Sequence, residues 1–179
     1  LFVDLDGILE RITANTRIIF LNNPNNPTGT IITRGAFDDF FKRVPEQVTI
    51  VLDEAYIEFA SDSQCLDGLA YCTGDRPVAV LRTFSKAYGL AGIRIGYGVM
   101  PEALAGLLHR VRQPFNVNAL AQAGACAALD DESFLEETLQ LVHREKAFLY
   151  RELQSLGFRC FPSESNFFLI DVARDAESV

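Results

Sequence analysis

Val78-Ala79-Val80-Leu81-Arg82-Thr83-Phe84-Ser85-Lys86-Ala87-Tyr88-Gly89-Leu90-Ala91-Gly92-Ile93-Arg94 is the stretch on which the reading of this chain turns. Its first four residues form a continuous apolar run, as expected of a strand buried on both faces. The run leads directly into a lysine preceded by hydroxyl side chains and followed by glycines. The Lys86 amine can form a Schiff base with a carbonyl. Thr83, Ser85 and the Arg94 guanidinium can together hold a phosphate, the arginine offering a planar two-pronged donor. Gly89, Ala91 and Gly92 permit close backbone approach, and apolar neighbours would favour the neutral, nucleophilic amine. Taken singly, such a lysine is most often a solvated surface residue, and Arg94 a surface ion pair of little worth.

Working outward, Arg17-Ile18-Ile19-Phe20-Leu21 reads as a buried strand feeding a turn-rich loop, Asn22 to Gly29. Thr33 to Val44 has helical spacing with Thr33 as N-cap. Val48 to Leu52 is a second apolar strand ending at Asp53-Glu54, and a short helix is expected over Gln64 to Tyr71. Ile93 to Met100 reads as a fourth strand. Apolar strands alternating with helices predict an α/β sheet covered on both faces. Ligands of such sheets gather at the carboxyl ends of the strands. The asparagine loop, Asp53 and Lys86 all fall there, which makes their separate bland readings jointly improbable.

After Met100 helices dominate: Pro101 to Arg112, Ala119 to Leu129, and a long one from Asp131 to Leu156. In the last, Leu135, Leu139, Val142, Leu149, Leu153 and Leu156 mark one face. Phe158 to Phe161 and Asn166 to Val172 read as strands of a smaller unit. Two histidines, His109 and His143, lie in these helices and read as surface or interface residues. The Phe115-Asn116-Val117-Asn118 segment reads as a turn.

Asp53, at the end of an apolar strand, is expected in low dielectric, where a lone carboxylate needs a cationic partner. A pyridinium nitrogen is one such partner, and keeping it protonated lets the ring accept electrons. A helix N-cap is the plainer alternative. Tyr56 lies three residues on and can donate to a ring oxygen, or simply pack. Asn26 can donate its amide to an anionic oxygen, and the Asn26–Pro27 bond suits a cis turn. Together these groups describe a pyridoxal phosphate site.

The bulk composition agrees with an ordinary globular protein. The 179 residues are 49% hydrophobic and 22% charged, so a packed core is expected. A net charge of −8 without a basic cluster speaks against nucleic acid and anionic membrane as partners. No apolar run is long enough to span a bilayer. Cys65, Cys72, Cys126 and Cys160 form no CxxC pair, which suits buried thiols in a reducing, cytoplasmic setting and offers no metal signature. The chain opens on Leu1 and carries no secretory leader; it is expected to be a piece of a longer protein.

In order, Asn-Asn-Pro-Thr-Gly (25–29), Asp-Glu-Ala-Tyr-Ile-Glu-Phe (53–59) and Thr-Phe-Ser-Lys-Ala-Tyr-Gly-Leu-Ala-Gly-Ile-Arg (83–94) resemble the fold-type-I aminotransferases of the aspartate aminotransferase superfamily. Asp53 to Phe59 and Pro114 to Asn118 look most like the histidinol-phosphate aminotransferases. The resemblance covers nearly the whole chain. It implies a fold-type-I large domain with a mostly parallel α/β sheet over residues 1–135. Residues 136–179 would then be a connecting helix and the start of a small C-terminal α+β domain. It further implies Lys86 as Schiff-base lysine and proton carrier, Asp53 at the pyridine nitrogen, and Tyr56 and Asn26 at the ring 3-oxygen. Thr83, Ser85 and Arg94 would bind the phosphate of pyridoxal 5'-phosphate.

The implied reaction is transamination of histidinol phosphate with 2-oxoglutarate, or the reverse with glutamate, by a homodimer with shared active sites. The substrate-carboxylate arginines, the aromatic ring-stacking residue and the glycine-rich phosphate loop of that family would lie outside this chain. Alternatives are an aromatic or broad-range aminotransferase, a threonine-phosphate decarboxylase, or a silent binding domain that keeps only the fold.

Overall fold

Residues 2–74 and 76–176 are described by a computed structural model of the chain. The apolar runs pair side by side. Strand β1 (Ile18–Asn22) lies parallel to β2 (Thr49–Asp53), and β2 parallel to β3 (Val78–Thr83). Strand β4 (Gly96–Val99) joins the far side of β3 antiparallel, giving a four-stranded sheet in the order β1-β2-β3-β4. Asn22 stands opposite Asp53, and Asp53 opposite Leu81, so the parallel strands end level with one another.

Helices α1 (Leu5–Glu10) and α2 (Arg34–Arg43) supply the covering layer on one face. Thr33 caps α2 as its sequence foretells, the hydroxyl accepting from the Ala36 amide at 3.3 Å. Phe37 and Phe40 turn inward from α2 and meet Leu21, Ile50, Leu52 and Val80 in the main core. Phe37 also makes an edge contact with Tyr71 at 4.9 Å between ring centroids.

The opposite face is covered at the sheet centre and open at the edge. Strands alternate their side chains, so Leu21, Leu52 and Val80 face the main core while Phe20, Val51 and Ala79 stand in one row on the other side. Val51 and Ala79 are buried, whereas Ile18 and Phe20 on edge strand β1 are 53% and 65% exposed and Leu81 at the end of β3 is exposed too. All these strands are apolar in sequence, so patterning could not tell a covered strand from a partly bare edge.

Other boundaries also shift. The expected helix over 64–71 contracts to a 3₁₀ turn, Gly68–Tyr71, because Cys65 bridges to Thr33 in extended form. Ile93 belongs to a 3₁₀ turn, Ala91–Ile93, rather than to β4. Helices α3 (Glu102–Val111), α4 (Ala119–Asp130) and α5 (Glu132–Ser155) fall within a residue or two of expectation. Asn118 caps α4 through the Ala121 amide at 2.8 Å. Along α5, Leu135, Leu139 and Val142 pack beside Tyr56 and Phe59, whereas Leu149 and Leu156 are exposed. The terminal strands shorten to β5 (Arg159–Cys160) and β6 (Ile170–Asp171), an antiparallel pair. Cys126 is exposed, against the expectation of buried thiols, while burial pushes the Cys65 thiol up to about 11.

The segment after β5 reaches back to the loop that follows β1. The Glu164 amide donates to the Gly29 carbonyl at 2.8 Å, and the Glu164 carboxylate accepts from the Ser61 amide at 2.6 Å. Gly29 has φ +70°, and a Cβ there would stand 1.9 Å from the Ser163 hydroxyl oxygen. Left-handed backbone costs a non-glycine residue about 1–2 kcal/mol, and overpacking about 1–3 kcal/mol. Gly29→Ala is therefore expected to lower the unfolding free energy of the protein by about 2–5 kcal/mol in urea melts.

Candidate active site

The chain leaves β3 through a closed loop. The Leu90 amide donates to the Phe84 carbonyl at 2.9 Å and the Phe84 amide to the Ile95 carbonyl at 3.3 Å. Within it, the Gly89 amide donates to the Lys86 carbonyl at 3.0 Å, with Gly89 at φ +70°. Glycine alone takes that conformation without penalty, which explains the residue. The turn presents Lys86 outward. Its Nζ lies 5.1 Å from the centre of the Tyr56 ring.

Lys86 shares a cavity of about 320 Å³ with Asp53, Ala55, Leu81, Arg82, Thr83, Ser85 and Arg94. Lys86 is itself exposed, so the apolar enclosure expected from its neighbours is not what these residues provide. At the far end, Arg94 Nη1 donates to the Ser85 hydroxyl at 3.4 Å and to the Ala91 carbonyl at 2.8 Å. The Thr83 hydroxyl accepts from the Ser85 amide at 3.1 Å. Arg94 adopts φ 58°, a left-handed backbone unusual outside glycine that aims its side chain back over the loop. Two hydroxyls and a guanidinium thus converge where an anion can be held.

Asp53 is half-buried, not enclosed, and its Oδ1 accepts only weakly from the Ala55 amide at 3.2 Å. The fully buried carboxylate is its neighbour Glu54. Asp53 therefore keeps lone pairs free toward the cavity. Tyr56 is buried, edge-on to Phe167 at 5.0 Å, and its hydroxyl accepts from Asn26 Nδ2 at 3.3 Å. A phenol that accepts from Asn26 still has its own hydrogen to give. Both Asn23–Pro24 and Asn26–Pro27 are cis; the sequence had suggested only the second. Of the seven candidate residues, five line or adjoin the cavity mouth from β2 and β3, while Asn26 and Tyr56 pair beside it.

Sequence reasoning passed over the supports. Asn23 is buried, donating to the Leu66 carbonyl at 2.9 Å and accepting from the Ile32 amide at 2.7 Å, which shapes the loop carrying Asn26. His143 Nε2 meets the Phe59 carbonyl at 3.0 Å. Lys146 donates to the Ser163 and Ser165 carbonyls, and burial holds its amine below the usual lysine value. Arg82, a cation inside an apolar strand, was the available signal for a buried acid nearby.

A level row of strand ends thus presents an amine, a carboxylate and an anion cradle on one side of an α/β sheet. The chain belongs to the family described as Aminotransferase class I and II, whose profile matches residues 1–178. It is 48% identical, over 99% of its length, to histidinol-phosphate aminotransferase 2 of Carboxydothermus hydrogenoformans, covering 49% of that protein. The chain thus spans about half the length of the curated relatives it matches. Its fold is similar to that of the histidinol-phosphate aminotransferase of Sinorhizobium meliloti in complex with pyridoxal-5'-phosphate. That match has a TM-score of 0.89 and 35% identity over 97% of this chain and 47% of that one. It is also similar to the L-threonine-O-3-phosphate decarboxylase of Porphyromonas gingivalis, with TM-score 0.79 and 27% identity over 92% of this chain and 50% of that one.

In the 3₁₀ turn Ile57–Phe59, Glu58 is a half-buried acid whose buried Oε2 has no hydrogen-bond partner. Burial pushes its carboxyl above the usual carboxylate value, with nearby Glu54 adding to the rise and Arg82 opposing it. Because the folded value is raised, protonated Glu58 supports folding below the unfolded value, and that support fades as pH climbs through the folded one. Glu58→Gln mimics the neutral acid. It should raise the melting temperature at pH 7, with the gain shrinking toward pH 4; a gain that grows on acidification contradicts the assignment.

Proposed function

We propose that the protein containing this chain is a pyridoxal 5'-phosphate-dependent aminotransferase acting on histidinol phosphate with 2-oxoglutarate. The observation that carries the reading is the shared cavity of Lys86, Asp53, Thr83, Ser85 and Arg94. Its residues fit the cofactor: an uncommitted half-buried carboxylate suits a ring nitrogen, and the hydroxyl–guanidinium cradle suits a phosphate. Bound there, pyridoxal phosphate supplies an aldehyde carbon and a ring that accepts electrons.

The residues then divide the work. Asp53 keeps a proton on the ring nitrogen. The Tyr56 hydroxyl and the Asn26 amide donate to the ring oxygen, Tyr56 being already oriented by Asn26. Thr83, Ser85 and Arg94 anchor the phosphate. Lys86 would hold the cofactor through its Nζ, and the same amine is placed to carry a proton to or from the substrate α-carbon. The relative from Carboxydothermus and the Sinorhizobium structure support histidinol phosphate as the amine and histidine biosynthesis as the setting. The phosphothreonine decarboxylase match keeps that activity as the second reading.

Division of the chain near residues 135 and 136 into a cofactor-binding part and a smaller C-terminal unit is part of this reading. The separate β5–β6 pair supports it. A cytoplasmic homodimer is likewise proposed. Phe115, Leu120 and Val111, at 98%, 82% and 78% exposure, are apolar side chains that further protein would cover.

In the full-length protein, histidinol phosphate with 2-oxoglutarate should outpace aromatic amino acids, and phosphothreonine should release no carbon dioxide. Lys86→Ala should cut turnover by at least about 100-fold. Undiminished turnover in that variant, or carbon dioxide release as the faster reaction, contradicts the proposal.

A further inference from the structure

One wall of the cavity carries an ion pair that none of the roles above uses: Arg82 lines the cavity, and its partner Glu54 lies on the packed side of the sheet. Glu54 is 0% exposed. Its Oε2 accepts from Arg82 Nε at 3.0 Å and Nη2 at 2.8 Å, and its Oε1 accepts from the Gly68 amide at 2.6 Å. Arg82 Nη2 also donates to Asp67 Oδ1 at 2.9 Å. Asp67 in turn caps the 3₁₀ turn Gly68–Tyr71 through the Leu69 amide at 3.0 Å.

The placement is specific. Glu54 follows Asp53 directly, and Arg82, itself part of the cavity wall, precedes Thr83. Alternation along β2 sends Glu54 to the packed core and Asp53 to the opposite face, and Arg82 bridges from the cavity wall to Glu54. The pairing of β2 with β3 stops at Asp53 and Leu81, and the Glu54 amide makes one last bond to the Leu81 carbonyl at 2.9 Å. Beyond that point the side-chain pair is what joins the two strand ends. No slack exists around it: a Cβ on Gly68 would stand 2.5 Å from Leu52, 2.6 Å from Val80 and 2.8 Å from Glu54 Oε1.

A buried ion pair is a weak device for stability, since an apolar pair of like volume often does as well. Its directional, two-pronged geometry is better suited to fixing register. We propose that the Glu54–Arg82 pair, extended by Asp67, is a positioning device that sets the separation of the Asp53 carboxylate from the Thr83–Lys86 loop. The proposal rests on the cofactor reading given above. The other ionisable groups facing the pair are Glu58, Tyr88, Tyr97, Cys72 and Cys65, brought by the turn after Tyr56, the lysine loop, β4, the 3₁₀ turn and the extended stretch before it.

The test uses the full-length protein loaded with pyridoxal phosphate. Arg82→Lys keeps the charge and loses the fork. It should displace the pH midpoint of the visible absorbance band and lower kcat roughly 10- to 100-fold, with KM for the amine within about twofold. Asp67→Asn, at a half-exposed position, should shift both in the same direction by less. A wild-type midpoint and kcat in folded Arg82→Lys overturn the proposal, as do unchanged values in Asp67→Asn should the lysine variant not fold. A wild-type protein with no visible band overturns the cofactor reading and this one with it. A band present but unmoved in the variants overturns this one alone.

Discussion

Parallel pairing in a single register is the constraint on which the rest of the structure depends. Because Asn22, Asp53 and Leu81 stand abreast, every chain reversal that follows them occurs at one edge of the sheet. Hydrogen bonding sets that edge, and the apolar core beneath it, with Phe37, Leu52 and Val80 fully buried, prevents any strand from slipping by one residue. A slip would send Asp53 to the packed side and Glu54 to the open one. Register therefore decides which of two adjacent acids lines the cavity and which is buried.

The same constraint explains how distant segments converge. The loop after β1 brings Asn26, the turn after β2 brings Tyr56, and the loop after β3 brings Lys86 and Arg94. None of these loops is rigid by length alone. Each is held by its own bonds: Asn23 in the first, the 3₁₀ turn Ile57–Phe59 in the second, the Phe84 to Leu90 closure in the third. The segment around Ser163 and Glu164 then presses on Gly29 from outside, linking the stretch after β5 to the loop after β1.

Much of this was legible in the chain. Apolar runs ending in polar residues located three strands and the edge where chemistry collects, and Thr33 announced α2. The resemblance to fold-type-I aminotransferases agreed with the family the chain belongs to. What could not be read was direction and cover. Continuous apolar strands look alike at the centre of a sheet and at its edge, so the exposure of Ile18 and Phe20 on β1, beside buried Val51 and Ala79, had no signal. The antiparallel sense of β4 is likewise invisible in a four-residue run that contains two glycines. Glu54 was overlooked because Asp53 beside it offered the more obvious chemistry, and burial is a property of register, not of residue type.

The account stands or falls on which amine holds the cofactor. Among the three lysines of this chain, Lys42 and Lys146 lie away from the cavity, on α2 and α5. Borohydride reduction of the cofactor-loaded full-length protein, followed by digestion and mass spectrometry, reads the attachment point directly. The account predicts a reduced pyridoxyl phosphate adduct on the peptide bearing Lys86. An adduct on any other lysine, or none, contradicts it.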